Sequence, residues 1–199
     1  MTMMIIILTS FGLALLAPLL HRQIPRWSGW LCALLPLVLC AYFTAQIGPV
    51  ADGRLRHESV SWIPSLDVSF SLCLDGLGLL FALVISGIGC LVVIYASSYL
   101  HNHRHLGRFY GLILAFMASM LGTVLAGDLI TLFIFWELTG LCSFLLIGFD
   151  HAREESRKAA LQALLVTGAG GLALLAGIIL LGRSAGTMEL AGILSRGDL

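Results

Sequence analysis

"TLFIFWELTGLCSFLLIGF", residues 131–149, sets one carboxylate, Glu137, in the middle of a run that otherwise carries no charge. The run is 19 residues long. At 1.5 Å per residue, a helix of about this length crosses a hydrocarbon core of about 30 Å. Reading it as a membrane span decides the fold class, because the rest of the chain has the same character. Hydrophobic residues make up 59% of the 199 positions and charged residues 11%, against roughly 25% charged in soluble domains. Mean hydropathy is +0.99. A soluble helical core would need polar helix faces, and most of these runs have none.

Working outward, the apolar runs place spans at about 3–20, 28–47, 74–100, 109–126, 129–149 and 159–182. The chain reads as an all-α polytopic membrane protein, one transmembrane domain over residues 1–199. Polar residues collect at the junctions: "HRQIPR" (21–26), "HNHRHLGR" (101–108) and "DHAREESRK" (150–158). Arg22, Arg26, Arg104, Arg108, Arg153, Arg157 and Lys158 fall on one side, and Arg54, Arg56, Arg183 and Arg196 on the other. The excess of basic residues in short loops marks the first side as cytoplasmic and the N-terminus as extracytoplasmic. No basic residue precedes the first apolar run, so that run reads as a retained span and not as a cleaved signal.

Between the second and third spans the period changes. In "SLDVSFSLCLDG", Leu66, Val68, Phe70, Leu72 and Leu74 alternate with Asp67, Ser69, Ser71 and Cys73. Alternation of this kind predicts a strand, with "VSWI" (60–63) as its partner across Pro64 and Ser65. The expectation is a short amphipathic hairpin, about 60–73, on the extracytoplasmic surface. The tail after 182 reads as an exit loop with a short interfacial helix.

Glu137 works against insertion of its own helix. An ionised group at the bilayer centre costs roughly 2.5–3.5 kcal/mol. Each surrounding Leu, Ile, Phe or Val returns about 0.3–0.6 kcal/mol. Three outcomes are open. The carboxylate can take up a proton, because a low dielectric disfavours its charged form. It can pair with a buried cation, or it can face water. Each ties its charge to its surroundings, as a proton or cation relay requires. The plainer alternative is a neutral Glu that only holds helices together. No Arg lies within a predicted span, and the single lysine, Lys158, sits at a helix start. A cationic partner would therefore come from elsewhere. Ile130, Phe133, Gly140, Leu141 and Phe144 share the Glu137 face of the helix, and Gly140 leaves room beside the carboxylate.

The remaining candidates have simpler explanations. Asp128 sits where it can collect cations or protons at the mouth of the fifth span, or cap that helix; Asp75 is placed to cap the third. His101, His103 and His105 alternate as metal ligands can in an extended loop, or form a polar turn beside Arg104. "REESRK" (153–158) reads as solvated charge pairs. Ala163, Thr167 and Gly171 recur every fourth residue, a small-residue strip suited to close helix approach. The five cysteines, Cys32, Cys40, Cys73, Cys90 and Cys142, form no metal-binding spacing. "GLG" (76–78) and "GAGG" (168–171) follow no strand, so they are not read as phosphate loops. Zero formal net charge gives no broad attraction to nucleic acid. No cofactor is implied.

These residues resemble a known family. "LDGLGLLFALVISGIGCLVVIYASSYL" (74–100) and "FYGLILAFMASMLGTVLAGDLITLFIFWELTGLCSFLLIGF" (109–149) look like the third to fifth helices of antiporter-like subunits. The family takes in the large A-type subunit of Mrp Na⁺/H⁺ antiporters and the proton-pumping subunits of respiratory complex I and membrane-bound hydrogenases. The resemblance implies that Glu137 is the glutamate essential to ion translocation, paired with a lysine on a later, broken helix. It implies protons and monovalent cations, sodium foremost, as the species moved. It also implies other membrane subunits as partners and a bacterial inner membrane as the location. Complex I members often carry an Arg and an Asp on the sixth helix, where Gly168 and Gly171 stand here; this and "SWIPSL" (61–66) favour the Mrp type. A redox-driven pump and a non-transporting scaffold remain as alternatives. Family members have about fourteen or more helices, so this chain is expected to be part of a longer subunit or one piece of a split one.

Overall fold

The computed structural model describes residues 1–63, 68–100, 103 and 105–195. Six helices in it are long and apolar enough to cross a membrane. They are α1 (Thr2–Gln23), α2 (Pro25–Ala45), α4 (Gly76–Tyr99), α5 (Leu106–Val124), α6 (Leu129–Ile147) and α7 (Glu154–Ala185). Short α3 (Ile47–Ala51) extends α2, and α8 (Leu190–Leu194) follows α7. Strands β1 (Arg56–Ile63) and β2 (Val68–Leu74) form an antiparallel pair between the second and third long helices. The expected hairpin is therefore present. Its turn, with Pro64, Ser65, Leu66 and Asp67, lies outside the described residues.

The local chemistry of each boundary explains where the helices start. Pro25 opens α2, at the position where a missing N–H costs nothing. Asp75 caps α4 by accepting from the Gly78 amide at 2.6 Å. Asp128 caps α6 by accepting from the amides of Ile130 at 2.9 Å and Thr131 at 2.8 Å. The first turn of α7 holds the charged segment, with Lys158 and Glu154 paired at 2.8 Å and both well exposed. That helix begins with this polar turn, ahead of its apolar part, because the i,i+4 pair supports it.

Packing is sequential around α5. That helix touches α1, α2, α4 and α6, and its Tyr110, Leu114, Met117, Ala118 and Leu121 are buried. Helix α7 leans chiefly on α6 and leaves Leu165, Val166, Leu172 and Leu180 exposed. In lipid an exposed leucine costs nothing, so the outer faces stay apolar. Among the described residues the five cysteines are free thiols.

The hairpin is seated on the helix ends and does not simply lie beside them. Leu72 and Leu74 are fully buried. Cys73 N donates to Leu125 O at 2.7 Å, and Gly127 N to Ser71 O at 2.8 Å. Strand β2 thus closes over the α5–α6 turn. On the other strand, Glu58 accepts from the amides of Met3 and Met4 at 3.0 and 3.2 Å, which caps α1 from a distance of 55 residues in sequence.

Candidate functional site

Glu137 is the ninth residue of α6, which runs Leu129–Ile147. At 1.5 Å per residue it sits about 12 Å from one end of the helix and about 15 Å from the other. Its side chain is half-buried and makes no hydrogen bond or ion pair among the described residues. It points at α7, where the backbone of Gly171 receives it. A Cβ at Gly171 would overlap Glu137 Oε1 and stand 2.9 Å from Cδ. The absence of a side chain at Gly171 is what lets the carboxylate lie against α7.

Beside it, a groove of about 450 Å³ runs between α6 and α7, walled by Phe133, Trp136, Gly140, Thr167 and Gly168. Gly140 leaves the space open, as its place on the Glu137 face implied: a Cβ there would meet only Thr167 Oγ1, at 3.9 Å. Thr167 and Gly171, two members of the small-residue strip, are therefore where α6 approaches. On the far side of Gly140 a second groove of about 340 Å³ reaches toward α5, with Thr123, Thr139 and Ser143 in its wall. Thr139 and, across the groove, Thr167 supply polar positions near mid-membrane, while Thr123 lies close to the end of α5. Thr139 donates to Trp136 O at 2.6 Å and Thr167 to Ala163 O at 2.7 Å, so each keeps oxygen lone pairs for water or a cation. None of these hydroxyls stands out as a site residue in the sequence, because a lone Thr or Ser on a helix looks like any other. Their convergence needs the α5–α6–α7 packing.

Asp128 stands about 13 Å up the helix from Glu137, in a different setting. It is 1% exposed. Besides its two capping bonds it accepts from Ser71 N at 2.9 Å and, very closely, from Thr131 Oγ1. All the capacity of this carboxylate is taken up in holding the start of α6 to β2. Around it, Ser69 Oγ and Ser71 Oγ donate to Glu189 at 3.0 and 3.3 Å, and His57 Nε2 lies 2.9 Å from Ser71 Oγ. Leu129 N donates to Met188 O at 2.9 Å and Leu190 N to Gly127 O at 3.0 Å. The hairpin, the α5–α6 turn and the α7–α8 link are thus one hydrogen-bonded unit. Glu58, Ser71 and Glu189 do not stand out in the sequence, because each looks like an ordinary polar residue of a strand or loop and its partners are distant along the chain.

His103 and His105 approach with ring centroids 6.0 Å apart, and His105 and His151 likewise. Among the described residues no cluster of three His, Cys, Asp or Glu side chains is arranged to hold a metal. His101 and Arg104 lie outside the described residues.

Six apolar helices and a mid-span carboxylate set against a helix glycine define a polytopic helical membrane protein with an ionisable group inside a span. Two family models match the chain: "NADH-Ubiquinone oxidoreductase (complex I), chain 5 N-terminus" over residues 61–110 and "NADH:quinone oxidoreductase/Mrp antiporter, TM" over residues 126–197. The A-type subunit of the Na(+)/H(+) antiporter of Alkalihalophilus pseudofirmus is 42% identical over 194 residues, which is 96% of this chain and 24% of that one. The A/B-type subunit of a probable K(+)/H(+) antiporter of Rhizobium meliloti is 42% identical over 195 residues, 98% of this chain and 19% of that one. A solved chain of the Mrp complex from Dietzia sp. superposes with a TM-score of 0.89 at 40% identity, covering 98% of this chain and 21% of that one. The chain belongs to the antiporter-like membrane subunit family and corresponds to the N-terminal part of the large A-type Mrp subunit. It spans a quarter or less of the length of these relatives.

Proposed function

We propose that this chain provides the Glu137-bearing part of a proton pathway in a monovalent cation/proton antiporter of the Mrp type. The observation that carries the proposal is a carboxylate near the middle of a membrane helix, unpaired among the described residues and open to a groove between α6 and α7. Such a group loses its charge only by taking up a proton, and otherwise needs a cation beside it to balance that charge. Protonation neutralises Glu137 and lets it rest against the apolar groove wall. Deprotonation creates a negative centre that attracts a cationic side chain or a hydrated ion from the rest of the assembly. The protonation states of the two partners are then linked.

Glycines at 168 and 171 support the Mrp type over the complex I type. A charged side chain at Gly171 would occupy the space Glu137 uses. The two relatives carry different cations in their names, Na⁺ in one and K⁺ in the other, and sodium is the ion proposed here. Other membrane subunits of the antiporter complex complete the pathway. The membrane is a bacterial inner membrane, with the hairpin end extracytoplasmic and the end bearing Arg22, Arg26, Arg108, Arg153, Arg157 and Lys158 cytoplasmic, in keeping with the excess of basic residues there.

The test is Glu137→Gln in the full assembly, followed by dye-reported proton exchange in everted vesicles. Cation-dependent exchange should fall to background while the complex still assembles. Exchange at the wild-type rate would remove Glu137 from the pathway.

A further inference from the structure

At the end opposite the hairpin a groove of about 310 Å³ lies between the start of α5, the end of α6 and the start of α7. Arg108, His151 and Arg157 stand around it, and Phe144, Leu145 and Leu161 form its apolar wall. We propose that this groove binds an anionic glycerophospholipid, with the phosphate between Arg108 and Arg157 and an acyl chain along Phe144 and Leu161.

Four observations point this way. First, the charge is uncompensated. Glu154 is held by Lys158 at 2.8 Å and Glu155 by Arg153 at 3.9 Å, whereas Arg108 and Arg157 form no ion pair among the described residues. No acidic side chain lines the groove among the described residues. Second, the guanidinium of Arg157 is positioned, because its Nη1 donates to His151 O at 2.6 Å and Ala152 O at 3.3 Å. Its other nitrogens remain for a phosphate, which a guanidinium fork suits. Third, the level is right. Arg108 is the third residue of α5, and α6 ends at Ile147, so the basic rim coincides with the helix ends, where headgroups lie. Fourth, the site is half oil. A free phosphate gains nothing from Phe144, Leu145 and Leu161, whereas a lipid tail does. Basic pockets between membrane helices recognise anionic headgroups on these terms.

The assay is association of spin-labelled phosphatidylglycerol with the complete assembly in phosphatidylcholine vesicles, referenced to spin-labelled phosphatidylcholine. Preference for the anionic label should drop about fivefold for Arg108→Gln and again for Arg157→Gln. Arg22→Gln with Arg26→Gln, which removes the same charge from the same end outside the groove, should leave it unchanged. Arg108 makes no hydrogen bond within the described fold, so its variant tests the site without loosening the α6–α7 loop that Arg157 braces. Unchanged preference in the Arg108 variant, or an equal loss in the Arg22 and Arg26 control, would overturn the proposal. Displacement of the label by inorganic phosphate would assign the site to a soluble anion and overturn it as well.

Discussion

Glu137 and Gly171 make a matched pair. The carboxylate sits where a side chain at 171 would be, and the colliding atoms are the far end of a flexible side chain. Gly171→Ala should therefore fold, because the carboxylate can swing aside and Ala is the better helix former by about 1 kcal/mol. Transport should nonetheless fall roughly tenfold or more, since a reacting group displaced by about 1 Å is poorly placed. Melting temperature and exchange rate, measured together, check this: unchanged stability with unchanged transport would place the carboxylate elsewhere. Asp128 predicts the opposite pattern. It is fully buried and fully bonded, so Asp128→Ala should cost about 1–2 kcal/mol through the lost cap, seen as a lower melting temperature. Residual transport per folded molecule should persist. Complete loss of transport in well-folded protein would move Asp128 into the pathway.

At the scale of elements, the α5–α6 seam and the hairpin carry the architecture. Phe135 packs flat on Gly122 of α5, leaving no space for a Cβ, and is 4% exposed. A ring gripped in the core cannot move as a carboxylate can, so Gly122→Ala should destabilise by about 1–3 kcal/mol, measured as thermal stability of the purified protein. The hairpin holds α1 through Glu58. Burial pushes that carboxyl upward, but the Met1 ammonium and the Met3 and Met4 amides outweigh it and hold it below the usual carboxylate value. A group lowered in the folded state stabilises above its unfolded value and loses that contribution as pH falls through its folded value. Acidification into and below the carboxylate range should therefore free the start of α1, read as faster amide exchange at Met3 and Met4. Glu58→Gln should show fast exchange already at neutral pH; equal protection in both would separate Glu58 from the helix end.

Much of this was legible in sequence at the element scale. Apolar runs announced the six helices, period-two alternation announced β2, and Asp75 and Asp128 stood at the expected caps. The role of Ser71 was hidden: in a strand of alternating character it belonged to the polar face, yet it is buried, because Asp128 and Glu189 satisfy its amide and hydroxyl. Glu58 was hidden for the same reason, since a cap that reaches across 55 residues leaves no local signal. Within the site, Glu137 was visible because charge in a membrane helix is costly, whereas Thr139, Ser143 and Thr167 became members only through packing.

At the scale of the whole molecule, α7 lies at the edge of the bundle with its outer face free, and the Glu137 groove opens beside it. A pathway through this groove needs further groups to carry charge onward, which agrees with relatives several times as long. On the proposed function, Glu137 gains and loses a proton during exchange. Infrared difference spectroscopy of the intact assembly, with and without the transported cation, tests that most directly. A carboxylic-acid carbonyl band that weakens on cation addition in the wild type, and is missing in Glu137→Gln, is the predicted result. Identical difference spectra for the two proteins would contradict the account.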